Sequence, residues 1–195
     1  GEEIFLKKIE GVIYGHKSNE GFFIKNTFIH KPLKIKFEFD EDFYFINNPK
    51  ALIGNTSGKT KVIFDLDETI ESNDLEYLSK WISISKKKVN NFRSFSNKNF
   101  SIITGDFKKK KKLITFGLLK SNEDIIYRFL MISNESESSN FTKKFQNIIY
   151  SFRKLSDLEI KSLTPPRIKI ISTQNIDDLE NVVSKKLNIQ KMFSN

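Results

Sequence analysis

The stretch from Asn140 to Leu187, NFTKKFQNIIYSFRKLSDLEIKSLTPPRIKIISTQNIDDLENVVSKKL, is the part of the chain whose pattern specifies the most structure. Ser156 followed by Glu159 forms a capping-box signature, which predicts that a short helix begins there. Before it, large apolar side chains recur at helical spacing and predict an amphipathic helix with one buried face: Phe141, Phe145, Ile148 or Ile149, and Phe152.

The second half of this stretch predicts a break, a strand and a last helix. Pro165 and Pro166 end the short helix, because proline donates no backbone hydrogen bond and restricts the residue before it. The β-branched run Ile168–Ile171 then predicts a strand, and Asp177 opens a final helical pattern.

Working outward, the preceding chain alternates apolar and polar residues in short segments joined by short turns, which indicates antiparallel pairing. A helix is expected from Ser72 to about Ile82. We therefore predict an α+β fold, a twisted antiparallel sheet with helices packed on one face, similar to PsbP-like domains, plus a short strand–helix C-terminal tail. The predicted strands are Leu33–Phe39, Phe43–Ile46, Lys50–Asn55, Lys61–Leu66, Asn91–Phe95, Phe100–Phe107, Leu113–Lys120 and Ile125–Ile132.

Bulk composition restricts the class of protein. The chain has 195 residues, enough to bury one core, and its 38% hydrophobic and 29% charged residues exclude an entirely disordered chain. No apolar run approaches the roughly 20 residues that span a bilayer. Cysteine is absent, so the chain holds no disulfide or thiolate site. It begins GEEIF without a signal peptide, and we expect it to be part of a longer protein.

The formal charge of +9 and the 19 phenylalanines are compatible with nucleic-acid binding. However, Lys, Ile, Asn and Phe are raised together, as codon bias in an AT-rich genome produces. In the segment from Lys34 to Phe39 the phenylalanines also alternate with charged residues, as in a half-buried strand. We therefore predict no nucleic-acid partner.

Several short motifs occur in an order that resembles the C-terminal region of HtpX-like bacterial zinc metalloproteases, whose catalytic helix carries HExxH. Each motif is weak alone, and their consistent order from about Ile9 to Leu187 carries the resemblance. The motifs are Ile9–Gly15, Gly21-Phe22, Asn26-x-Phe28-x-His30, Leu33-x-Ile35-x-Phe37, Phe43-x-x-Ile46-Asn47-x-Pro49, Ser151-Phe152-Arg153-x-Leu155-Ser156, Pro165-x-Arg167-Ile168-x-Ile170 and Lys185-Lys186-Leu187.

The resemblance implies a non-catalytic accessory region of a periplasmic protease, which positions the protease or recruits substrates and partners. It implies a handover segment over residues 1–31, an accessory domain over 32–155 and a helix–strand–helix tail over 156–195. The zinc would lie in an upstream protease domain, and this chain would hold no cofactor. The implied partners are that protease domain and envelope proteins or peptidoglycan. The tail from Arg167 resembles the start of a LysM module but lacks its Gly-Asp turn and second helix.

An alternative function rests on Asp65-x-Asp67-x-Thr69 after an apolar strand, which resembles the first motif of haloacid-dehalogenase phosphatases. Asp65 would attack phosphorus, Asp67 would act as general acid and base, and both would help to hold Mg²⁺. In that family the motif ends the first strand of a parallel sheet, whereas hairpin strands precede it here. The competing interpretation is that both carboxylates lie at a strand end before a turn.

A further alternative is an anionic-ligand binding module that uses the run Lys108, Lys109, Lys110, Lys111 and Lys112, which otherwise reads as a solvated turn between two strands. The two histidines, His16 and His30, lack the i, i+4 spacing of HExxH, so we predict no metal site in this chain. His30 is expected to contribute to a turn or a hydrogen bond.

Overall fold

The computed structural model describes residues 21–47, 50–68, 73–83 and 89–164. None of the helices in these ranges is long and apolar enough to cross a membrane. The elements, in chain order, are β1 (Phe22–Ile24), β2 (Thr27–His30), β3 (Ile35–Glu38), β4 (Tyr44–Asn47), β5 (Leu52–Asn55), β6 (Lys61–Asp67), α1 (Asp74–Ile82), β7 (Asn90–Ser96), β8 (Phe100–Lys109), β9 (Lys112–Ser121), β10 (Ile126–Asn134), a 3₁₀ turn (Glu135–Glu137), α2 (Ser138–Ser151), β11 (Arg153–Lys154) and α3 (Asp157–Ser162).

The strands form two antiparallel sheets. The larger sheet has the order β4-β5-β6-β10-β9-β8-β7, and the smaller has the order β1-β2-β3-β11. Every strand pair in the described ranges is antiparallel, and for the hairpin pairs the short connections require it. The predicted α+β fold with an antiparallel sheet is therefore confirmed.

The main core lies between one face of the seven-stranded sheet and a layer made of α2 and the small sheet. Strand β10 shows the alternation that separates the two faces: Tyr127, Phe129 and Met131 enter this core, whereas Ile126 and Leu130 face the other way. The centre of the core is aromatic. Phe37 packs edge-on against Phe129, with ring centroids 5.1 Å apart, and such contacts stabilise beyond the area they bury.

Helix α1 covers the opposite face of the seven-stranded sheet, so the helices lie on both faces rather than on one. Asn73 caps this helix by accepting from the amides of Leu75 and Glu76. Tyr77 and Leu78 are buried in a second cluster built from alternate residues of β8, β9 and β10. These central strands carry apolar side chains on both faces of the sheet. Helix α1 shields from water the face that α2 does not cover.

Helix α2 is the amphipathic helix that the sequence predicts, and its predicted face is buried: Phe141, Phe145, Ile148, Ile149 and Phe152. It approaches β9 closely at Gly117, where an added Cβ would lie 2.7 Å from Cδ1 of Ile149. The capping box is also present, since Ser156 Oγ accepts from the amide of Glu159 and the Glu159 carboxylate accepts from the amide of Ser156. The predicted break, strand and last helix from Pro165 to Leu187 lie outside the described residues.

Residues 21–31 belong to the sheet structure, although the sequence suggested a handover segment with little core of its own. They form β1 and β2, and Phe28 lies in the main core. On the outer side of the small sheet, Phe22, Ile29 and Leu155 form a third cluster, which α3 covers. The two strands have three and four residues, too short for alternation to identify them. The chain before residue 21 lies outside the described ranges.

Candidate functional site

The Asp65 motif belongs to a side-chain cluster centred on Arg128, which lies opposite Asp65 in the β6–β10 pairing. Arg128 Nε donates to Asp65 Oδ1 at 2.7 Å and Nη2 donates to Oδ2 at 2.8 Å, a bidentate pair. Arg128 Nη1 also donates to Asp67 Oδ2 at 3.1 Å and to the Tyr77 hydroxyl at 3.2 Å. The Tyr77 hydroxyl donates in turn to Asp67 Oδ2 at 2.8 Å. We call Asp65, Asp67, Tyr77 and Arg128 the Arg128 cluster.

The cluster is partly buried beneath α1. The Arg128 side chain is 17% exposed, and its guanidinium carbon lies 5.3 Å from the ring centroid of Trp81. Burial alone lowers the pKa of Arg128, but hydrogen bonds to Asp65 and Tyr77 outweigh it and raise that pKa above its ordinary value. Burial, together with the hydrogen bond to Asp67, raises the pKa of Tyr77 to about 12. At pH 7 the cluster therefore places a cationic guanidinium and a neutral phenol beside the Asp65 and Asp67 side chains.

This geometry counts against the phosphatase alternative. A nucleophilic carboxylate that also binds Mg²⁺ needs oxygen lone pairs directed at substrate and metal, whereas Asp65 presents both oxygens to Arg128. Strand β6 also pairs antiparallel with both β5 and β10. The third motif residue, Thr69, lies outside the described residues. The arrangement that is observed ties β6, β10 and α1 together.

The lysine run Lys108–Lys112 forms the end of the β8–β9 hairpin, which we call the hairpin tip. Lys108 pairs with Glu135, and the hydrogen bond from this pairing raises the pKa of Lys108. Lys112 Nζ donates to Asn134 Oδ1 at 2.6 Å. No carboxylate within the described ranges pairs with the three exposed lysines that remain, which are Lys109, Lys110 and Lys111.

His30 has a structural role in the turn before β3. Its Nδ1 accepts a hydrogen bond from the amide of Leu33 at 3.2 Å. Burial lowers the pKa of His30, which keeps the ring neutral and able to accept. His16 lies outside the described residues. Among the residues that the structure describes, no three His, Cys, Asp or Glu side chains are close enough together to hold a metal ion.

A groove runs between the edge strand β7 and helix α2, and we call it the β7–α2 groove. Its deepest part is a cavity of about 160 Å³. An engineered apolar cavity of about 150 Å³ holds a benzene ring, so this volume corresponds to one six-membered ring. Strands β7, β8 and β9 form one wall and α2 forms the other, and the lining includes Phe95, Thr104, Thr115, Phe145, Gln146 and Tyr150.

A carboxylate, the guanidinium of Arg93 and two aromatic rings give the β7–α2 groove its chemical character. Asp106 lines the cavity, is only 8% exposed, and accepts a hydrogen bond from Asn91 Nδ2 at 2.7 Å. The rings of Phe95 and Tyr150 lie 6.2 Å apart, and Tyr150 is 65% exposed. Beyond the cavity, the groove continues to the hairpin tip as an open depression lined by Asn91, Asp106 and Lys108.

Arg128 was not identified from the sequence, although a signal exists. It stands between Tyr127 and Phe129 in a strand of buried residues, and a charge in such a position needs a partner of opposite charge. Asp65 and Asp67 lie two positions apart at the end of another predicted strand, so both carboxylates are on the same face and can supply that partner. The groove residues carry no comparable signal, because the position of β7 at the sheet edge depends on the strand order.

No protein-family profile matches the chain, and no curated protein sequence matches it. Solved structures are similar to it, among them the following three. Cyanobacterial PsbP (CyanoP) from Synechocystis sp. PCC 6803 has a TM-score of 0.51 and 9% identity, over 72% of this chain and 98% of that chain. LpqN, involved in cell envelope biogenesis of Mycobacterium tuberculosis, has a TM-score of 0.40 and 11% identity, over 63% and 83% of the two chains. A Bacteroides thetaiotaomicron VPI-5482 protein has a TM-score of 0.46 and 9% identity, over 70% and 51%. At these identities the similarity to CyanoP shows the fold alone, which is PsbP-like α+β.

Proposed function

We propose that this chain is a non-catalytic accessory domain that positions a substrate or a partner protein within an extracytoplasmic protein of the bacterial cell envelope. The observation that carries the proposal is that Arg128 occupies both oxygens of Asp65, the one carboxylate for which the sequence suggested nucleophilic chemistry. The β7–α2 groove, in contrast, has a lined cavity that opens at the sheet edge.

The finer proposal is that the domain belongs to a periplasmic HtpX-like zinc metalloprotease. It rests on the order of the sequence motifs from Ile9 to Leu187. In such a protein, the upstream domain would hold the catalytic zinc and this domain would bring substrates or envelope partners to it. Peptidoglycan is a further partner that the resemblance of the tail to a LysM module suggests.

The reading frame upstream of Gly1 tests the protease proposal directly. We expect it to encode an HExxH helix and a signal peptide, and a start codon at this point would refute the assignment. In the full-length protein, deletion of this domain should preserve zinc loading and cleavage of a short peptide, while cleavage of an unfolded protein substrate falls. Equal cleavage of the protein substrate with and without the domain would contradict the positioning role.

A second candidate, the anionic-ligand module, is favoured by the three exposed lysines Lys109, Lys110 and Lys111 at the hairpin tip. Replacing all three with glutamine should abolish binding to vesicles that contain phosphatidylglycerol, and binding of the unmodified chain should weaken steeply with salt. The matched control replaces Lys59, Lys98 and Lys161 with glutamine. These lysines lie outside the hairpin tip, and the control changes the net charge by the same amount.

A further inference from the structure

We propose that the β7–α2 groove binds an extended peptide, which adds to β7 as an eighth strand of the large sheet and inserts one aromatic side chain into the cavity. This inference names the partner class for the proposed accessory function and in that respect rests on it. The backbone edge, the cavity and the charge of the hairpin tip each contribute a separate requirement.

The backbone edge supplies the affinity. Strand β7 spans Asn90–Ser96, and in the described part of the chain it pairs only with β8. Its regular edge is Arg93–Ser96, because the register shifts between Asn90 and Arg93, where Asn91 has a φ of 50°. The outer edge of such a strand presents N–H and C=O groups that an added strand can pair, which is the mode of recognition in many peptide-binding domains.

The cavity supplies the specificity. Alternate side chains of an added strand point to the α2 side of the sheet, where Phe95 and Tyr150 line the cavity. A volume of about 160 Å³ accepts one aromatic ring. Phe145 and Ile149 provide apolar contact for that ring, and these residues are held in place by the main core.

Asp106 selects the kind of aromatic side chain. In the described structure its nearly buried carboxylate receives one side-chain hydrogen bond, from Asn91, and a buried carboxylate gains from a further donor. A tyrosine hydroxyl provides that donor, whereas phenylalanine provides none. We therefore expect tyrosine to bind more tightly than phenylalanine at this position.

The hairpin tip fixes the direction of the peptide. Asn90, at the start of β7, lies opposite Asp106, two residues before Lys108, so the tip is at that end of the groove. All strand pairs in this sheet are antiparallel, and a peptide that continues the pattern runs from the Phe95 end to the Asn90 end. These two positions are five residues apart, and the irregularity between Asn90 and Arg93 makes the span shorter than the roughly 16 Å of a regular strand. Acidic residues should therefore follow the tyrosine by about five positions and meet the exposed lysines.

Fluorescence anisotropy with the full 195-residue chain tests the inference. The probe is a fluorescein-labelled ten-residue peptide of alternating Thr and Val, with tyrosine at its third position and aspartates at its eighth and ninth. We expect saturable binding, weakened about tenfold by alanine in place of the tyrosine, because a buried anchor side chain contributes more than 1 kcal/mol. Phenylalanine in place of the tyrosine should weaken binding less than alanine does. Asparagines in place of the two aspartates should remove the salt dependence of binding.

Two N-methylated probes separate strand addition from other modes of binding. In an antiparallel ladder only every second residue of the peptide bonds to β7. Methylating the amides at one set of alternate positions should abolish binding, and methylating the other set should leave it within about threefold. Equal effects of the two sets, or no saturable binding of the unmethylated probe, would overturn the inference.

A pair of tyrosine variants locates the site on the protein. Tyr150→Ala should weaken binding about tenfold, whereas Tyr44→Ala, which removes a similarly exposed tyrosine from the opposite edge strand, should not change it. Equal affinity of the two variants would place the peptide elsewhere and overturn the proposed site. If the probe fails to bind while domain deletion still impairs cleavage of the protein substrate, the peptide inference fails and the accessory function stands.

Discussion

Replacement of Arg128 with methionine should destabilise the fold by about 3 kcal/mol. The substitution removes a bidentate pair with Asp65 and hydrogen bonds to Asp67 and Tyr77, and it leaves the Asp65 carboxylate without its ion-pair partner under α1. Breaking a fully buried ion pair by removing one partner costs about 3–5 kcal/mol. Because the Arg128 side chain is 17% exposed and the carboxylates somewhat more, solvent screening places the cost at the lower end of this range. Loss of the contact with Trp81 adds less than about 1 kcal/mol.

Urea unfolding followed by far-ultraviolet circular dichroism measures this cost as a shift in midpoint at constant slope. Arg128→Lys keeps the charge but loses the planar bidentate geometry, so it should cost about 1–2 kcal/mol. Combining Arg128→Met with Asp65→Asn should recover at least about 1 kcal/mol, since the charge that lost its bidentate partner is then also removed. A cost below about 0.5 kcal/mol for Arg128→Met would show that the Arg128 cluster does not stabilise the fold.

Three further changes test other features of the fold. The hydrogen bond from Arg153 lowers the pKa of Glu159 to about 2, from an ordinary 4.5. A lowered pKa means that this contribution is complete above about pH 4.5 and is lost as pH falls toward 2, so Glu159→Gln should flatten the acid side of a melting-temperature profile. Gly117→Ala should lower the free energy of unfolding in urea by about 1 kcal/mol, because its Cβ would lie 2.7 Å from Ile149 Cδ1 and this buried methyl group must shift. Lys59→Gly should raise that free energy by about 0.5–1 kcal/mol, because Lys59 has a φ of 65° in an exposed turn.

Each of these three predictions has an outcome that would contradict it. An unchanged acid profile for Glu159→Gln would mean that the pair with Arg153 does not form in solution. A Gly117→Ala protein as stable as the parent would show that α2 can move away from β9. For the turn, Lys61→Gly is the matched control, because a glycine within β6 should destabilise by about 0.5–1 kcal/mol. Loss of stability in both lysine variants would argue against the left-handed turn.

The elements with long, regular patterns were predictable from the sequence. Strands β8, β9 and β10 have nine or ten residues, and their alternation and bulky side chains identify them. Helix α2 was equally clear from the spacing of Phe141, Phe145 and Phe152. Strands β1, β2 and β11 have two to four residues each, too few to show a period, and they depend on partners distant in the chain.

The candidate sites were less predictable because they depend on which elements become neighbours. Asp65 was identified as an unusual carboxylate, but its partner Arg128 lies 63 positions away and becomes adjacent only when β6 pairs with β10. The β7–α2 groove requires both the strand order and the crossing of α2 over β8 and β9. Local patterns specify elements, whereas pairing between distant strands is set by the whole core.

The contact between Trp81 and Arg128 makes Trp81 an intrinsic fluorescence probe of the packing of α1. Trp81 is the single tryptophan of the chain, and it is partly buried at the end of α1, over the guanidinium. Intrinsic emission excited at the red edge of the absorption band therefore comes from one known position. A change in its wavelength would report the departure of α1 from the sheet, and its comparison with the circular dichroism signal would show whether α1 leaves before the strands separate.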